Sequence, residues 1–256
     1  MKTLVIINMK GGVAKTTTAA TLGQGLQAQG YRVLYVDMDA QGSLTDTLLA
    51  EAPGDIPTSM GLLDRTASAK ECIIQTPSGD LITASPKLAE ADISITAIGK
   101  EYRLRDALKP ISGLYDFVII DTPPHLGIAT VNALTAATDV IIPTEAAPYS
   151  LKCIGQLQDT LQAIKEYCNP GLTIQGILIT RYNSRAVISR DMAEILDQMA
   201  DSMETTVYNT KIRECTALKE AAIMKRPIFA YAPRSNASVE YMAFTKEVIE
   251  RSQNHA

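Results

Sequence analysis

The chain has 256 residues, long enough for one sizeable α/β core and short for two. Its 24 basic and 28 acidic residues leave a formal net charge of −4, which argues against a general polyanion binder but not against a local basic patch. Four scattered cysteines, Cys72, Cys153, Cys168 and Cys215, form no CxxC pair or zinc knuckle and fit a reduced cytoplasm.

In chain order, residues 4–8 read as a strand too short for a signal peptide, running directly into Lys10-Gly11-Gly12. A helix is expected over 16–29, ended by Gly30, then a strand over 33–37. Residues 42–113 are less regular and should hold short helices and a strand at 81–84. Strands follow at 117–121, 140–143, 173–180 and 205–208. Helices are expected between and after them at 128–137, 150–167, 188–203, 216–224 and 238–251, with Asn169-Pro170-Gly171 breaking the chain after the second of these. Several strands are apolar almost throughout, as strands buried on both faces are. The βαβα succession predicts an α/β fold: a doubly wound, mostly parallel sheet flanked by helices. No linker, repeat or low-complexity segment divides it, so residues 1–256 read as one domain. No apolar run approaches the length of a bilayer span.

The segment Lys10-Gly11-Gly12-Val13-Ala14-Lys15-Thr16-Thr17 follows a strand and opens a helix. Glycines let a backbone wrap an anion with its N–H groups, and the helix N-terminus adds its positive end. Lys15 is placed to reach β- and γ-phosphates, and the Thr16 hydroxyl to ligate Mg²⁺. The strict GxxxxGK[ST] template fails at both glycines, where Met9 and Ala14 stand. Two further segments end apolar strands in acids. Val33-Leu34-Tyr35-Val36-Asp37-Met38-Asp39 carries two carboxylates spaced by two and is followed by Ala40-Gln41-Gly42. Phe117-Val118-Ile119-Ile120-Asp121-Thr122-Pro123-Pro124 has the Walker B form, in which a buried strand delivers a carboxylate that holds Mg²⁺ through water. A lone acid at a strand end is otherwise a turn or cap residue. His125, next in line, reads as a loop histidine.

The double glycine with a second lysine at Lys10 resembles the deviant Walker A loop, KGGxxKT, of the ParA/MinD family of P-loop ATPases. The resemblance extends over nearly the whole chain and is nearest to the small, Soj-like ParA partition ATPases. It implies that Lys10 reaches a partner's ATP across a dimer interface. It implies that Asp39 positions the attacking water or Mg²⁺ and that Asp37 supports the metal's shell. Gly176-Ile177-Leu178-Ile179-Thr180 and the loop Lys211-Ile212-Arg213-Glu214 resemble the family's adenine-side segments, so Thr180 and residues 211–214 are expected around the base. Arg185 and Arg213 fall where the family's DNA-contacting arginines lie, although in an acidic chain they could equally be solvated surface. The implied activity is weak ATP hydrolysis with ATP and Mg²⁺ as cofactors. The implied partners are a second copy of the chain, nonspecific duplex DNA and a ParB-like protein, in a cytoplasmic, nucleoid-associated setting. No segment able to read an operator precedes the loop, so operator-specific repression is not expected.

The sequence disfavours three other functions on this fold. A MinD-like membrane positioner ends in a basic amphipathic helix, whereas residues 250–256 hold no large apolar residue after Ile249, so membrane binding is disfavoured. An iron–sulfur reductase needs cysteines after the Walker B strand, and residues 130–134 have none. An ATP-dependent metabolic ligase would not call for Lys10 or the Gln41-Gly42 segment.

Overall fold

The computed structural model describes residues 1–51 and 54–254. Seven strands, β1 (Lys2–Ile6), β2 (Val33–Asp37), β3 (Ile73–Thr76), β4 (Gly79–Ile82), β5 (Phe117–Asp121), β6 (Asp139–Glu145) and β7 (Thr173–Thr180), form one sheet in the order β3-β4-β2-β5-β1-β6-β7. Every pair is parallel except the β3–β4 hairpin. The doubly wound fold expected from the sequence is present. β1 lies between β5 and β6, where the strand order reverses, and such switch points hold ligands at the carboxyl ends of the strands.

Among the described residues twelve α-helices accompany the sheet: α1 (Lys15–Ala28), α2 (Ser43–Leu48), α3 (Ser59–Asp64), α4 (Ala69–Cys72), α5 (Ala91–Ser94), α6 (Arg103–Leu108), α7 (Ile128–Ala136), α8 (Pro148–Tyr167), α9 (Val187–Ser202), α10 (Thr216–Ile223), α11 (Ile228–Tyr231) and α12 (Asn236–Asn254). Strand side chains alternate between two cores. Val5, Leu34, Val36, Val118, Ile120 and Ile142 face a cluster built with α3, α6, α7, α8 and α9. Leu4, Ile6, Tyr35, Phe117, Ile119 and Ile141 face a second built with α1 and α12. This two-sided burial is why the strands read as unbroken apolar runs.

Helix α1 is buried nearly all round between the sheet and α12. Two glycines make this possible: a Cβ at Gly23 would collide with the Tyr35 ring, and one at Gly25 with the Thr245 hydroxyl. The tail packs rather than projecting, since Val248 is fully buried and Ile249 leans on the same core. His255 and Ala256, part of the tail weighed above, lie outside the described residues. Among the described residues no helix is long and apolar enough to cross a membrane.

Two strand expectations are corrected. β3 was not anticipated, because Ile73-Ile74-Gln75-Thr76 is a four-residue, half-exposed edge with too short a pattern to read. Residues 205–208 form no strand. Only Val207 pairs with β7, opposite Ile177, because the next donors are diverted: the Asn209 and Thr210 amides bond the Glu247 carboxylate of α12.

Candidate functional site

The loop after β1 is drawn together by its own backbone and by β6. Asn8 donates from its amide to the Pro143 carbonyl at 2.9 Å, and its side-chain oxygen accepts the Lys10 amide at 2.9 Å. Gly12 (φ 79°) and Ala14 (φ 64°) are both left-handed, which curls the chain into the start of α1. A Cβ at Gly11 or Gly12 would meet nothing within 4 Å, so the cradle is open on the side a phosphate would occupy. Lys15 is nearly buried, with Nζ 3.1 Å from the Lys10 carbonyl. Burial pulls its pKa down, and the charges of Asp121 and Asp39 oppose that pull.

Ala14 holds a conformation that costs a non-glycine residue roughly 1–2 kcal/mol, while glycine loses about 0.5–1 kcal/mol in chain entropy. Ala14→Gly is therefore expected to raise unfolding free energy by roughly 0.5–1 kcal/mol, read by denaturant titration. A destabilised variant would show that the Ala14 methyl is needed where it is.

The acids at the strand ends divide their work. Asp121 is fully buried; its Oδ2 accepts the Thr16 hydroxyl at 2.7 Å, and its Oδ1 has no hydrogen-bond partner among the described residues. Burial first, and then the Asp37 charge, push its pKa up to about 8 against the Thr16 bond and Lys15. A buried carboxylate with one unfilled oxygen beside a threonine hydroxyl fits a Mg²⁺ that keeps part of its water shell. Among the described residues no group of three or more His, Cys, Asp or Glu could hold a metal. Thr16 and, through water, Asp121 are the residues that would hold it, beside the nucleotide phosphates.

Asp37, expected to support a metal's shell, has both of its oxygens engaged within the chain. Its Oδ2 accepts both the amide and the hydroxyl of Thr45 at 2.8 Å, and its Oδ1 accepts the Asp39 amide at 3.1 Å. Burial raises its pKa to about 6 despite these bonds. Asp37 thus ties the turn carrying Asp39 to the first turn of α2. Asp39 reaches the cavity, its Oδ1 accepting the Gln41 amide at 3.0 Å.

A cavity of about 450 Å³ opens beside the loop. Gly11, Gly12, Ala14, Lys15, Thr16, Thr17 and Asp39 line one end, and Thr180, Ile212, Arg213 and Glu214 the other. Val13 is buried beneath the loop instead. The Thr180 hydroxyl is engaged within the chain, its Oγ1 lying 3.1 Å from both the Val13 and the Thr144 carbonyls, and so pins the loop to β6 and β7. Lys211 does not line the cavity; its ammonium lies over the Tyr182 ring, 4.8 Å from the centroid. Sequence reasoning missed Ser43, Thr47, Arg181, Cys215, Lys219 and Tyr241, which also line it. Tyr241 comes from α12 and bonds the Thr18 hydroxyl at 3.2 Å, a contact across 223 positions that no local pattern announces.

Lys10 lies outside the cavity lining and is paired rather than at liberty: Nζ is 2.6 Å from Glu145 Oε2. Arg181 Nη1 sits 2.9 Å from the other Glu145 oxygen. Burial pushes the Glu145 pKa up, and the bonds from Lys10 and Arg181 outweigh it and hold it below the usual carboxylate range. The pairing of Tyr182 with Arg213 brings the Arg185 and Arg213 segments to one edge of the sheet. The Arg213 guanidinium already pairs with Glu240. Arg185 is exposed, and its side chain enters no ion pair among the described residues.

Comparison with known proteins matches residues 1–174 to a family model described as an AAA domain. The sporulation initiation inhibitor protein Soj of Bacillus subtilis is 36% identical over 250 residues, covering 96% of this chain and 98% of that protein. The chromosome partitioning protein ParA of Caulobacter vibrioides is 34% identical over 260 residues, covering 99% and 96%. Among solved structures, a protein of Mycobacterium smegmatis described as cobyrinic acid a,c-diamide synthase, bound to ADP and magnesium, superposes with a TM-score of 0.85 at 33% identity, covering 100% of this chain and 97% of that one. The same protein is also known with an ATP analogue and magnesium. Together with a two-lysine phosphate loop at the switch point of a doubly wound sheet, full-length identity of this order places the chain in the ParA/Soj family of P-loop ATPases.

Proposed function

We propose that this protein is a partition ATPase whose ATP-bound form is a two-fold dimer that carries cargo on nonspecific DNA and is reset by hydrolysis under a ParB-like partner. The observation that carries the reading is the division of labour between the lysines of one loop: Lys15 faces the phosphate cavity, and Lys10 sits outside it. A single-chain nucleotide site needs only the first. In a face-to-face dimer Lys10 neutralises charge on the partner's phosphates.

Mg²⁺, when bound, neutralises charge on the β- and γ-phosphates. Thr16 and Asp121 would hold its position, Lys15 would grip the phosphates, and Asp39 would orient the attacking water. The apolar side chains of Leu126, Tyr149, Val187 and Ile188 are exposed, and all four follow the carboxyl ends of β5, β6 and β7, the side on which the loop opens. Exposed apolar side chains on that side suit an interface with a second copy. Soluble turnover of this kind belongs to the cytoplasm, with the ATP state on the nucleoid.

In the dimer each arginine of the β7 edge occurs twice, so modest patches combine into one basic track. Arg185 is the leading DNA contact, because Glu240 already neutralises Arg213. Fluorescence anisotropy on two unrelated duplexes across a salt series tests this, with ATP present and absent. The wild type should bind both duplexes alike and only with ATP. Arg185→Glu should weaken binding about tenfold and lower the salt slope by about two, one phosphate contact per subunit. Binding that is equal without ATP, or that strongly prefers one duplex, would sink the DNA-carrier reading.

A further inference from the structure

Three charges meet at the carboxyl edge of the sheet. Glu145 ends β6 and pairs in register with Thr180, so the next residue, Arg181, emerges beside it. The two Glu145 oxygens are divided: Oε2 binds the Lys10 ammonium at 2.6 Å, and Oε1 binds the Arg181 guanidinium at 2.9 Å. The carboxylate side chain is only 20% exposed, against 27% for Lys10 and 45% for Arg181. Lys10 therefore has a partner within its own chain, on the residue that bounds the loop from the β6 side.

We infer that Glu145 is a positioning residue that holds Lys10 within its own subunit and competes with the partner subunit's nucleotide for it, so that the Glu145–Lys10 bond sets the protein concentration at which the nucleotide-bound dimer forms. This rests on the proposed dimer. The Glu145-held ammonium lies outside the lining of its own chain's cavity, so in the inferred latch each dimer forms at the cost of the 2.6 Å bond in each subunit.

Arg181 makes that exchange affordable in charge terms. A poorly solvated carboxylate stripped of its counter-ion is costly. When Lys10 leaves, Arg181 remains on the other oxygen, and Glu145 is never left alone. Removing Arg181 has the reverse effect, because Glu145 then depends on Lys10 alone and holds it harder. The two neighbours thus act in opposite directions on the same equilibrium.

The test is sedimentation equilibrium with AMPPNP at a concentration shown to saturate each variant, so that changes in nucleotide affinity do not enter. Because the pair is partly solvated, E145Q is expected to lower the dimer dissociation constant about fivefold and R181A to raise it about fivefold. A residue that merely braces the fold moves both variants the same way, towards a weaker dimer and a lower thermal midpoint. If the wild type dimerises and E145Q leaves the constant unchanged or raised, the latch is overturned and the dimer reading stands. If R181A leaves it unchanged or lowered, the shared-carboxylate account is overturned likewise. A wild type that stays monomeric with AMPPNP overturns both.

Discussion

Lys15→Ala is expected to weaken ATP binding about a hundredfold or more, to the point where calorimetry records no saturation. Lys15 is nearly buried at the start of α1 and faces the cavity from beneath the loop. Its ammonium lies among Asp121 and Asp39, whose charges act on it. Removing it costs a charge-assisted contact to phosphate and also leaves two carboxylates facing the phosphates without their nearest cation. Circular dichroism should be unchanged, since the one side-chain hydrogen bond of Lys15 among the described residues is that to the Lys10 carbonyl. An affinity within about threefold of wild type, a difference of under 1 kcal/mol, would remove Lys15 from the phosphate site.

Asp121→Asn should have opposite effects on stability and on function. In the nucleotide-free protein Asp121 is a fully buried acid with its pKa pushed to about 8 by burial and by Asp37. A carboxylate whose folded pKa exceeds its unfolded value contributes stability that is full below the unfolded pKa and is lost as pH rises through the folded one. The wild type should therefore lose stability between about pH 4 and pH 8, and the amide should remove that part of the slope, leaving the variant more stable at pH 8. Function should move the other way. The amide cannot offer Oδ1 as an anionic acceptor to metal-bound water, so Mg²⁺-dependent turnover should fall about a hundredfold. Denaturant titrations at pH 5 and pH 8 and a phosphate-release assay with varied Mg²⁺ check the two halves. A variant that is less stable at pH 8, or that keeps its Mg²⁺-dependent turnover, would show that Asp121 is a structural acid.

The phosphate loop was legible in the sequence because the signals that announce it follow one another directly: a strand, a glycine-rich turn and the first turn of a helix. The bonds that tie it to β6 and β7, from Asn8 to Pro143 and from Thr180 to Val13, were not. The strand-end acids were legible as the residues that stop an apolar run. What each acid is free to do was not. Asp37 and Asp121 stand at matching positions on neighbouring strands, paired in register, and from sequence both looked available to a metal. Thr45, eight residues beyond Asp37, consumes one of its oxygens twice over, while Thr16 takes one oxygen of Asp121 and leaves the other open. Lys10 was expected to reach a partner's ATP, and within this chain Glu145, 135 positions away, holds it.

The amino-acid sequence by itself determined the doubly wound sheet, the loop and the side of the sheet on which chemistry is possible. Those follow from side-chain periodicity and from glycine's backbone freedom, which act over a few residues. Only the tertiary structure decided which carboxylate remains open, which lysine is held, and that Tyr241 of α12 lines the cavity. A buried oxygen or ammonium has few bonding positions, and residues far apart in the chain compete to fill them once packing has excluded water.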